Sequence, residues 1–234
     1  MKNYILTGDS RGIGAALAER WTKKGNVRYL GLSRTSGVDL SQSLSKDLLR
    51  RLVKDHGLQP LDGIILNAGS SRIAPATLVN VIDLAHDLWV NFISAVELVQ
   101  AAFPFLKQGA VVYAILTNNL EIHPPMYLSY NCSKAALAEF IHTLPKESDA
   151  RKKELKTAGL ILGAVDTEMY REACQQDYDL RDLNLKTLST EEAAQAIEET
   201  LQIAENADFS DRPFLFRFDK NDQSRWSPML AIFP

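Results

Sequence analysis

The sequence has few of the residues that build a disulfide framework or a metal centre. Its 234 residues include only two cysteines, Cys132 and Cys174, and four histidines. Two cysteines in no recognisable pattern predict a reduced, cytoplasmic protein. No group of His, Cys and Asp residues has metal-ligand spacing, so no metal site is predicted.

A strong charge of either sign is also missing. The formal net charge is −3, which predicts neither nucleic acid nor an anionic membrane as a partner. No apolar run is expected to approach the roughly 20 residues that span a bilayer, and the apolar stretch Tyr4–Leu6 follows Met1 too closely for a signal peptide. Apolar residues make up 46% and charged residues 24%, which is typical of a soluble globular protein. The length predicts one domain covering residues 1–234.

Apolar runs that read as strands alternate along the chain with helical patterns. The predicted strands are 4–7, 27–33, 64–66, 110–116, 160–165 and 212–218. The predicted helices are 13–24, 44–53, 81–106 with a bend near Asn91, 129–144, and 189–204 with a capping box formed by Ser189 and Glu192. This alternation predicts an α/β fold: a single, Rossmann-like, doubly wound parallel sheet with helices on both faces. Ligands then bind outside the carboxyl ends of the strands.

The connection after the second strand is short. Only Arg34–Gly37 separate Ser33 from Val38-Asp39, whereas a parallel crossover needs a dozen or more residues. The sheet is therefore predicted to be shortened at the edge between strands 2 and 3.

A glycine-rich turn follows the first strand. Gly8, Gly12 and Gly14 have the spacing G-x-x-x-G-x-G. Backbone without Cβ lets a phosphate approach, and the helix that begins near Gly12 offers free N–H donors. The turn is therefore predicted to bind a dinucleotide through Gly8, Ser10, Arg11, Gly12, Ile13 and Gly14. The alternative is a tight strand-to-helix connection that binds nothing.

Two arginines indicate which dinucleotide is bound. Arg11 lies in the turn, and Arg34 follows the second strand between Ser33 and Thr35. An acidic residue at the end of that strand would bind an unphosphorylated ribose 2′-hydroxyl, whereas an arginine with two hydroxyls suits a 2′-phosphate. The predicted cofactor is therefore NADP(H), although two solvated surface arginines would give the same pattern.

A phenol and an ammonium lie one helical turn apart at Tyr130 and Lys134. A free phenol has a pKa of about 10, and a nearby cation lowers that pKa. The pair therefore predicts a tyrosine that exchanges a proton beside the dinucleotide.

In these motifs the chain resembles the short-chain dehydrogenase/reductase family over residues 2–169. The turn Thr7–Gly14 matches the phosphate turn of the family, and Tyr130 and Lys134 match its Tyr-x-x-x-Lys pair. Further matches are Leu66-Asn67-Ala68-Gly69 to the N-N-A-G motif, Asn91 to the helix asparagine, and Leu162–Thr167 to P-G-x-V-x-T with leucine in place of proline. The Ser-Arg-Thr after the second strand looks most like the sepiapterin reductase and benzil reductase branch.

The resemblance implies several catalytic roles. The family serine lies thirteen residues before the tyrosine, which is Thr117 here; an alignment of the strand itself places Leu116 there, and Asn118 or Asn119 are further alternatives. Lys134 is implied to hold the nicotinamide ribose, and Asn91 to hold a water in a relay towards Lys134. The predicted catalytic residues are therefore Tyr130, Lys134, Thr117 and Asn91.

The resemblance also implies further cofactor contacts. Asn67, Ala68 and Gly69 would bring backbone close to the adenosine ribose and brace the sheet, and Val165 and Thr167 would hold the carboxamide and the phosphates. Asp39 and Leu40 match an adenine-edge motif, although Asp39 is almost as well explained as a turn or cap residue. Residues of about 168–188 are implied to form a substrate lid, and relatives commonly form homodimers or homotetramers.

The predicted function is reduction of a carbonyl on a small molecule by NADPH. Two alternatives stay open. One is an NAD-linked alcohol dehydrogenase of the same family, and the other is a nucleotide-binding sensor or interaction protein with little turnover.

Overall fold

A six-stranded parallel sheet organises the part of the chain that the computed structural model describes, which is residues 1–176, 186–207 and 212–220. The strands are β1 (Lys2–Thr7), β2 (Val27–Leu32), β3 (Leu61–Leu66), β4 (Leu106–Thr117), β5 (Lys156–Leu162) and β6 (Phe214–Phe218). Their order is β2-β1-β3-β4-β5-β6, and each neighbouring pair is parallel. All six predicted strands are present, with ends that differ by a few residues.

Helices cover both faces of this sheet. They are α1 (Gly12–Lys24), α2 (Lys46–Asp55), α3 (Val81–Leu88), α4 (Ser94–Ala102), α5 (Asn119–Ile122), α6 (Leu128–Thr143), α7 (Ser148–Lys152), α8 (Glu168–Gln176) and α9 (Thr190–Asn206). On one face, α2, α4 and α6 pack on Ile5 and Ile64. On the other face, α1 and α9 pack on Tyr4 and Ile65. Strands buried on both faces explain the nearly continuous apolar runs in the sequence, and the doubly wound fold is confirmed.

The edge of the sheet is shortened, as predicted. β2 is the edge strand, and the residues between β2 and α2 form one 3₁₀ turn, Arg34–Ser36, and no strand. Val38 and Leu40 are nevertheless buried, so this segment covers the core without joining the ladder.

The strand order reverses beside β1, because the chain runs from β1 to β2 on one side and returns to β3 on the other. Loops at the carboxyl ends of strands diverge at such a reversal and leave room for a ligand. The loops after β1, β3, β4 and β5 therefore define the region in which a functional site is expected.

The segment Val81–Phe105 departs from one expectation. By length and composition it is a helix that could cross a membrane, which the sequence was predicted to lack. Yet Asp87 and Asn91 within it are buried and hydrogen-bonded to protein groups, and Leu98 and Ala101 belong to the core. These contacts are those of a helix packed inside a folded domain.

Candidate active site

The glycine-rich turn leads directly into an open helix end. Gly8 and Gly12 have φ values of 72° and 58°, which side chains with a Cβ adopt only at a cost. The N-cap residue of α1, Arg11, makes no side-chain capping bond, and the first turn of α1 contains no acidic residue. The backbone N–H groups and the positive end of the helix dipole therefore favour an anion at this turn.

Close packing behind the turn depends on Gly14 and Asn67. A Cβ on Gly14 would overlap the Gly8 carbonyl oxygen and lie 2.6 Å from Asn67 Nδ2. Asn67 Nδ2 donates to the carbonyl oxygens of Thr7 at 2.9 Å and Gly8 at 3.2 Å. The side chain of Asn67 thus braces the turn from behind. Ala68 N–H adds a bond to Thr7 Oγ1 at 2.9 Å.

Other residues of the predicted cofactor site lie around this turn. Ser10 is exposed, and Ile13 packs partly against the core. Thr167, in the loop after β5, has its Cγ2 3.5 Å from where a Cβ on Gly12 would lie, and its Oγ1 accepts the Tyr170 N–H at the start of α8. Val165 is buried in a bridge to Leu188. The loop after β5 therefore faces the phosphate turn.

The predicted 2′-phosphate residues form a compact 3₁₀ turn after β2. Ser33 caps this turn, and its Oγ lies 2.9 Å from Thr35 Oγ1. Arg34 is exposed beside these two hydroxyls. Arg11 is also exposed, but it forms an ion pair with Glu168 at the start of α8. Arg11 is thus held by a carboxylate within ion-pair distance, whereas Arg34 acts on the Asp39 carboxylate as a weaker influence on its pKa.

Asp39 and Leu40, the residues predicted to lie at the adenine edge, are part of a local turn after β2. Asp39 Oδ1 accepts bonds from Ser41 N at 2.9 Å and Ser41 Oγ at 2.8 Å, and these bonds lower the pKa of Asp39. Leu40 is buried in the core. The local role of Asp39 is to close a turn, which is the alternative that the sequence left open.

Tyr130, Lys134 and Thr117 come together at the carboxyl end of β4. Lys134 Nζ lies 5.9 Å from the centre of the Tyr130 ring and donates to the Ile115 carbonyl oxygen at 2.8 Å. The Thr117 hydroxyl is close enough to the Tyr130 phenol to lower the pKa of the phenol. Leu116 is buried in the core instead, so the geometry selects Thr117 over Leu116 as the hydroxyl partner.

The two asparagines after Thr117 have supporting positions. Asn118 Nδ2 donates to Asp219 Oδ2 at 2.8 Å, and Asn119 N–H donates to Thr117 Oγ1 at 3.2 Å. Asp219 lies so close to Gly163 that a Cβ on Gly163 would be 2.5 Å from its carboxyl carbon. This packing ties the loop after β4 to β6 and the loop after β5.

Burial dominates the electrostatics of the Tyr130–Lys134 pair. Burial raises the pKa of Tyr130 to about 12, the hydrogen bond from Thr117 opposes this rise, and the charge of Asp87 adds to it. Burial also lowers the pKa of Lys134 to about 8. The pKa of the phenol therefore lies above 10 and not below it, as the pair had suggested, because burial is the largest influence on it; the Lys134 ammonium donates to the Ile115 carbonyl oxygen.

Asn91 lies where the long helix changes its hydrogen-bonding pattern. A π turn, Trp89–Ile93, separates α3 from α4 and accounts for the bend predicted there. Asn91 Oδ1 accepts the Ser70 N–H at 2.7 Å, while Nδ2 donates to Ser70 O at 2.8 Å and Ser133 Oγ at 2.7 Å. Because these bonds occupy its side chain, a water relay through Asn91 would have to use the main chain.

Gly69 lies close to both Asn91 and Lys134. A Cβ on Gly69 would lie 3.4 Å from Asn91 Oδ1 and 3.9 Å from Lys134 Nζ. The loop after β3 therefore forms one wall of the region around the Tyr130–Lys134 pair, and Gly69 is where that wall comes closest.

Several residues around Tyr130 were missed by sequence reasoning. Asp87 is fully buried and accepts bonds from Ser70 and Ser129, the residue before Tyr130. The available signal was an acidic residue inside the apolar pattern of 81–106, which is costly unless it is paired. Among the described residues, no three His, Cys, Asp or Glu side chains are grouped so that they could hold a metal ion.

Comparison with known proteins supports the assignment of the fold. The family model described as short chain dehydrogenase matches residues 35–177. An uncharacterised oxidoreductase of Schizosaccharomyces pombe is 29% identical over 189 residues, covering 72% of this chain and 72% of that protein. A hydroxysteroid 11-beta-dehydrogenase 1-like protein of Gallus gallus is 36% identical over 190 residues, covering 70% of this chain and 64% of that protein.

Solved structures have the same fold. A short chain dehydrogenase from Burkholderia cenocepacia, in complex with NADP, superposes with a TM-score of 0.76 at 20% identity and covers 94% of this chain and 98% of that one. The sepiapterin reductase and benzil reductase likeness stays a prediction. Together with the phosphate turn and the Tyr130–Lys134 pair, these matches show that the chain belongs to the short-chain dehydrogenase/reductase family of NAD(P)-dependent oxidoreductases.

Proposed function

We propose that this chain is an NADPH-dependent reductase that converts a ketone or aldehyde group of a small molecule to an alcohol. The observation that carries the proposal is the buried cluster at the end of β4, where the Tyr130 phenol meets the Thr117 hydroxyl with Lys134 one helical turn away. The cluster lies at the carboxyl edge of the sheet, where α/β sheets bind their ligands.

The residues around the phosphate turn fit a dinucleotide. The positive φ values of Gly8 and Gly12 and the uncapped start of α1 suit a pyrophosphate. Ser33, Arg34 and Thr35 suit a ribose 2′-phosphate, since a guanidinium and two hydroxyls are donors to phosphate oxygens. When bound, NADPH supplies the hydride.

Tyr130 is the proton donor in this proposal. With a pKa of about 12 its phenol is protonated at neutral pH and can donate to a substrate carbonyl oxygen. Thr117 offers a second hydroxyl at the same place and stabilises negative charge there. Lys134, whose pKa is about 8, is mostly charged at pH 7 and stabilises the phenolate that remains after proton transfer.

NADPH oxidation with a panel of diketones, pteridines and simple ketones tests the proposal. Replacing Tyr130 by phenylalanine removes the proton donor and should lower kcat by about 100-fold or more. Full activity in Tyr130→Phe would contradict the proposed role. Tight NADPH binding without oxidation by any carbonyl would instead support the nucleotide-sensor alternative.

Cofactor choice needs a separate comparison. Arg34→Ala should weaken NADPH binding by about 10-fold or more while changing NADH binding little, because only NADPH carries the 2′-phosphate. Arg28→Ala is the matched control, since Arg28 is also an exposed arginine of the β2 region but bonds to the His56 carbonyl oxygen. Equal losses for both cofactors in Arg34→Ala, or tighter binding of NADH by the wild type, would favour the NAD-linked alternative.

A further inference from the structure

A buried carboxylate joins three segments beside the Tyr130–Lys134 pair. Asp87, in α3, has no solvent exposure. Its Oδ1 accepts from Ser70 Oγ at 2.7 Å, and its Oδ2 accepts from Arg72 N at 3.0 Å and Ser129 Oγ at 2.7 Å. The donors belong to the loop after β3 and to the first turn of α6.

These bonds connect directly to residues of the proposed active site. Ser129 precedes Tyr130, and Ser129 Oγ also lies 3.2 Å from the Arg72 carbonyl oxygen. Ser70 is bonded through its N–H and its carbonyl to the Asn91 side chain. Asp87 therefore holds both the start of the helix that carries Tyr130 and the loop that forms the facing wall.

A carboxylate is suited to this position because all three close partners are donors. An ionised carboxylate accepts at both oxygens, whereas an amide presents a donor at one of them. The same burial makes the charge costly unless it is bonded and paired. Arg72 supplies a partial pairing, with Nη1 3.5 Å from Asp87 Oδ1 and Nε 2.9 Å from the exposed carboxylate of Asp83.

We infer that Asp87 is a positioning residue for the proposed reduction, holding Tyr130 and the loop after β3 in the productive arrangement. This inference rests on the proposed function. It assigns Asp87 no contact with substrate or cofactor, because its oxygens are occupied by the three donors.

The charged and titratable groups around Asp87 come from three elements. His86 Nδ1 lies 3.8 Å from Asp87 Oδ1, and Asp83 is on the same helix. Arg72 comes from the loop after β3, and Tyr130 and Lys134 come from α6. Since the Asp87 charge contributes to the raised pKa of Tyr130, loss of that charge lowers the pKa of the phenol.

The test uses Asp87→Asn in the full-length protein, with Ser129→Ala and Asp83→Asn for comparison. Asp87→Asn should lower kcat between about 10- and 100-fold, because small displacements of a catalytic group are costly. Ser129→Ala breaks one link but keeps the charge, so kcat should fall while the pKa of Tyr130 does not. Asp83→Asn removes an exposed carboxylate that also pairs with Arg72, and both quantities should match the wild type.

The pKa of Tyr130 can be read without any turnover, from the ¹³Cζ resonance of labelled tyrosine, assigned with Tyr130→Phe. Asp87→Asn should move this titration to lower pH. A wild-type kcat in both Asp87→Asn and Ser129→Ala would overturn the positioning role while leaving the proposed function intact.

If the wild type reduces no carbonyl, the proposed function fails. The ¹³Cζ titration of Tyr130 then still tests whether Asp87 acts on Tyr130. An unchanged pKa of Tyr130 in Asp87→Asn would then overturn the link between Asp87 and Tyr130, and a lower pKa of Tyr130 would support it. If Asp87→Asn does not fold, Ser129→Ala decides by its kcat.

Discussion

Replacing Lys134 by methionine should make the protein more stable at neutral pH and less dependent on pH. Lys134 is 3% exposed, and burial lowers its pKa from 10.5 to about 8. Between these two values the unfolded chain binds more protons at this site than the folded chain. The free energy of unfolding of the wild type therefore rises with pH across this window. The stability that this site contributes through the neutral form of Lys134 is fully present above pH 10.5 and is lost as the pH falls through about 8.

The size of the effect follows from the same two values. They differ by about 2.5 pH units, and each unit corresponds to about 1.4 kcal/mol, so the full change across both pKa values is about 3.5 kcal/mol. Methionine has a similar length and no charge to bury. The difference in unfolding free energy between wild type and Lys134→Met should thus shift by about 3 kcal/mol in favour of the wild type between pH 7 and pH 10.5.

Urea unfolding followed by circular dichroism at half-unit steps from pH 7 to pH 10.5 measures this difference. Lys134→Gln controls for packing, because both replacements remove the charge but only one is apolar. The two variants should show the same pH dependence relative to the wild type. Parallel stability curves for wild type and Lys134→Met would refute the reasoning. Loss of reductase activity in the stabilised variant would show that the buried ammonium is kept for function at a cost in stability.

Three further outcomes are expected. Gly14→Ala should weaken NADPH binding by about 10-fold or more, because the added Cβ would displace the Gly8 carbonyl and Asn67 behind the turn. Calorimetric titration measures this affinity, and an unchanged value would contradict the close packing. Thr117→Ser should keep most of the turnover, whereas Thr117→Val should lower kcat by about 100-fold, since only serine preserves the donor to Tyr130; equal rates in the two variants would exclude the hydroxyl. If ionisation of the Tyr130 phenol causes the rise of the alcohol-oxidation rate with pH, that rise should be missing in Tyr130→Phe. A rise that persists in the variant would belong to another group.

The arrangement of strands and helices was largely predictable from the sequence. Apolar runs at 4–7, 64–66 and 110–116 indicated buried parallel strands, and the capping box of Ser189 and Glu192 marked the start of α9. Element ends were less predictable. β4 begins at Leu106 and not at Ala110, because pairing with Leu61 of β3 extends the ladder past a register irregularity. The lid expected at about 168–188 begins with α8 at Glu168, and residues 177–185 lie outside the described part of the chain.

The site was predictable where spacing along one element decides proximity. Tyr130 and Lys134 are neighbours because four residues make one helical turn. Counting along the chain could not choose between Thr117 and Leu116. The packed structure decides, because Thr117 comes close to Tyr130 while Leu116 is buried in the core. The cofactor contacts of Asn67 and Asp39 stay predictions, and the local hydrogen bonds of both residues support the surrounding turns.

Short-range pattern thus accounts for the phosphate turn, the tyrosine–lysine pair and the individual strands and helices, since each depends on residues close together in the chain. The burial that sets the two pKa values, the bond from Lys134 to Ile115 and the junction at Asp87 depend on segments 15 to 42 residues apart. Solvent exclusion and hydrogen-bond partners exist only once those segments have packed. For that reason the tertiary structure alone decided how acidic each group is and which residues hold it in place.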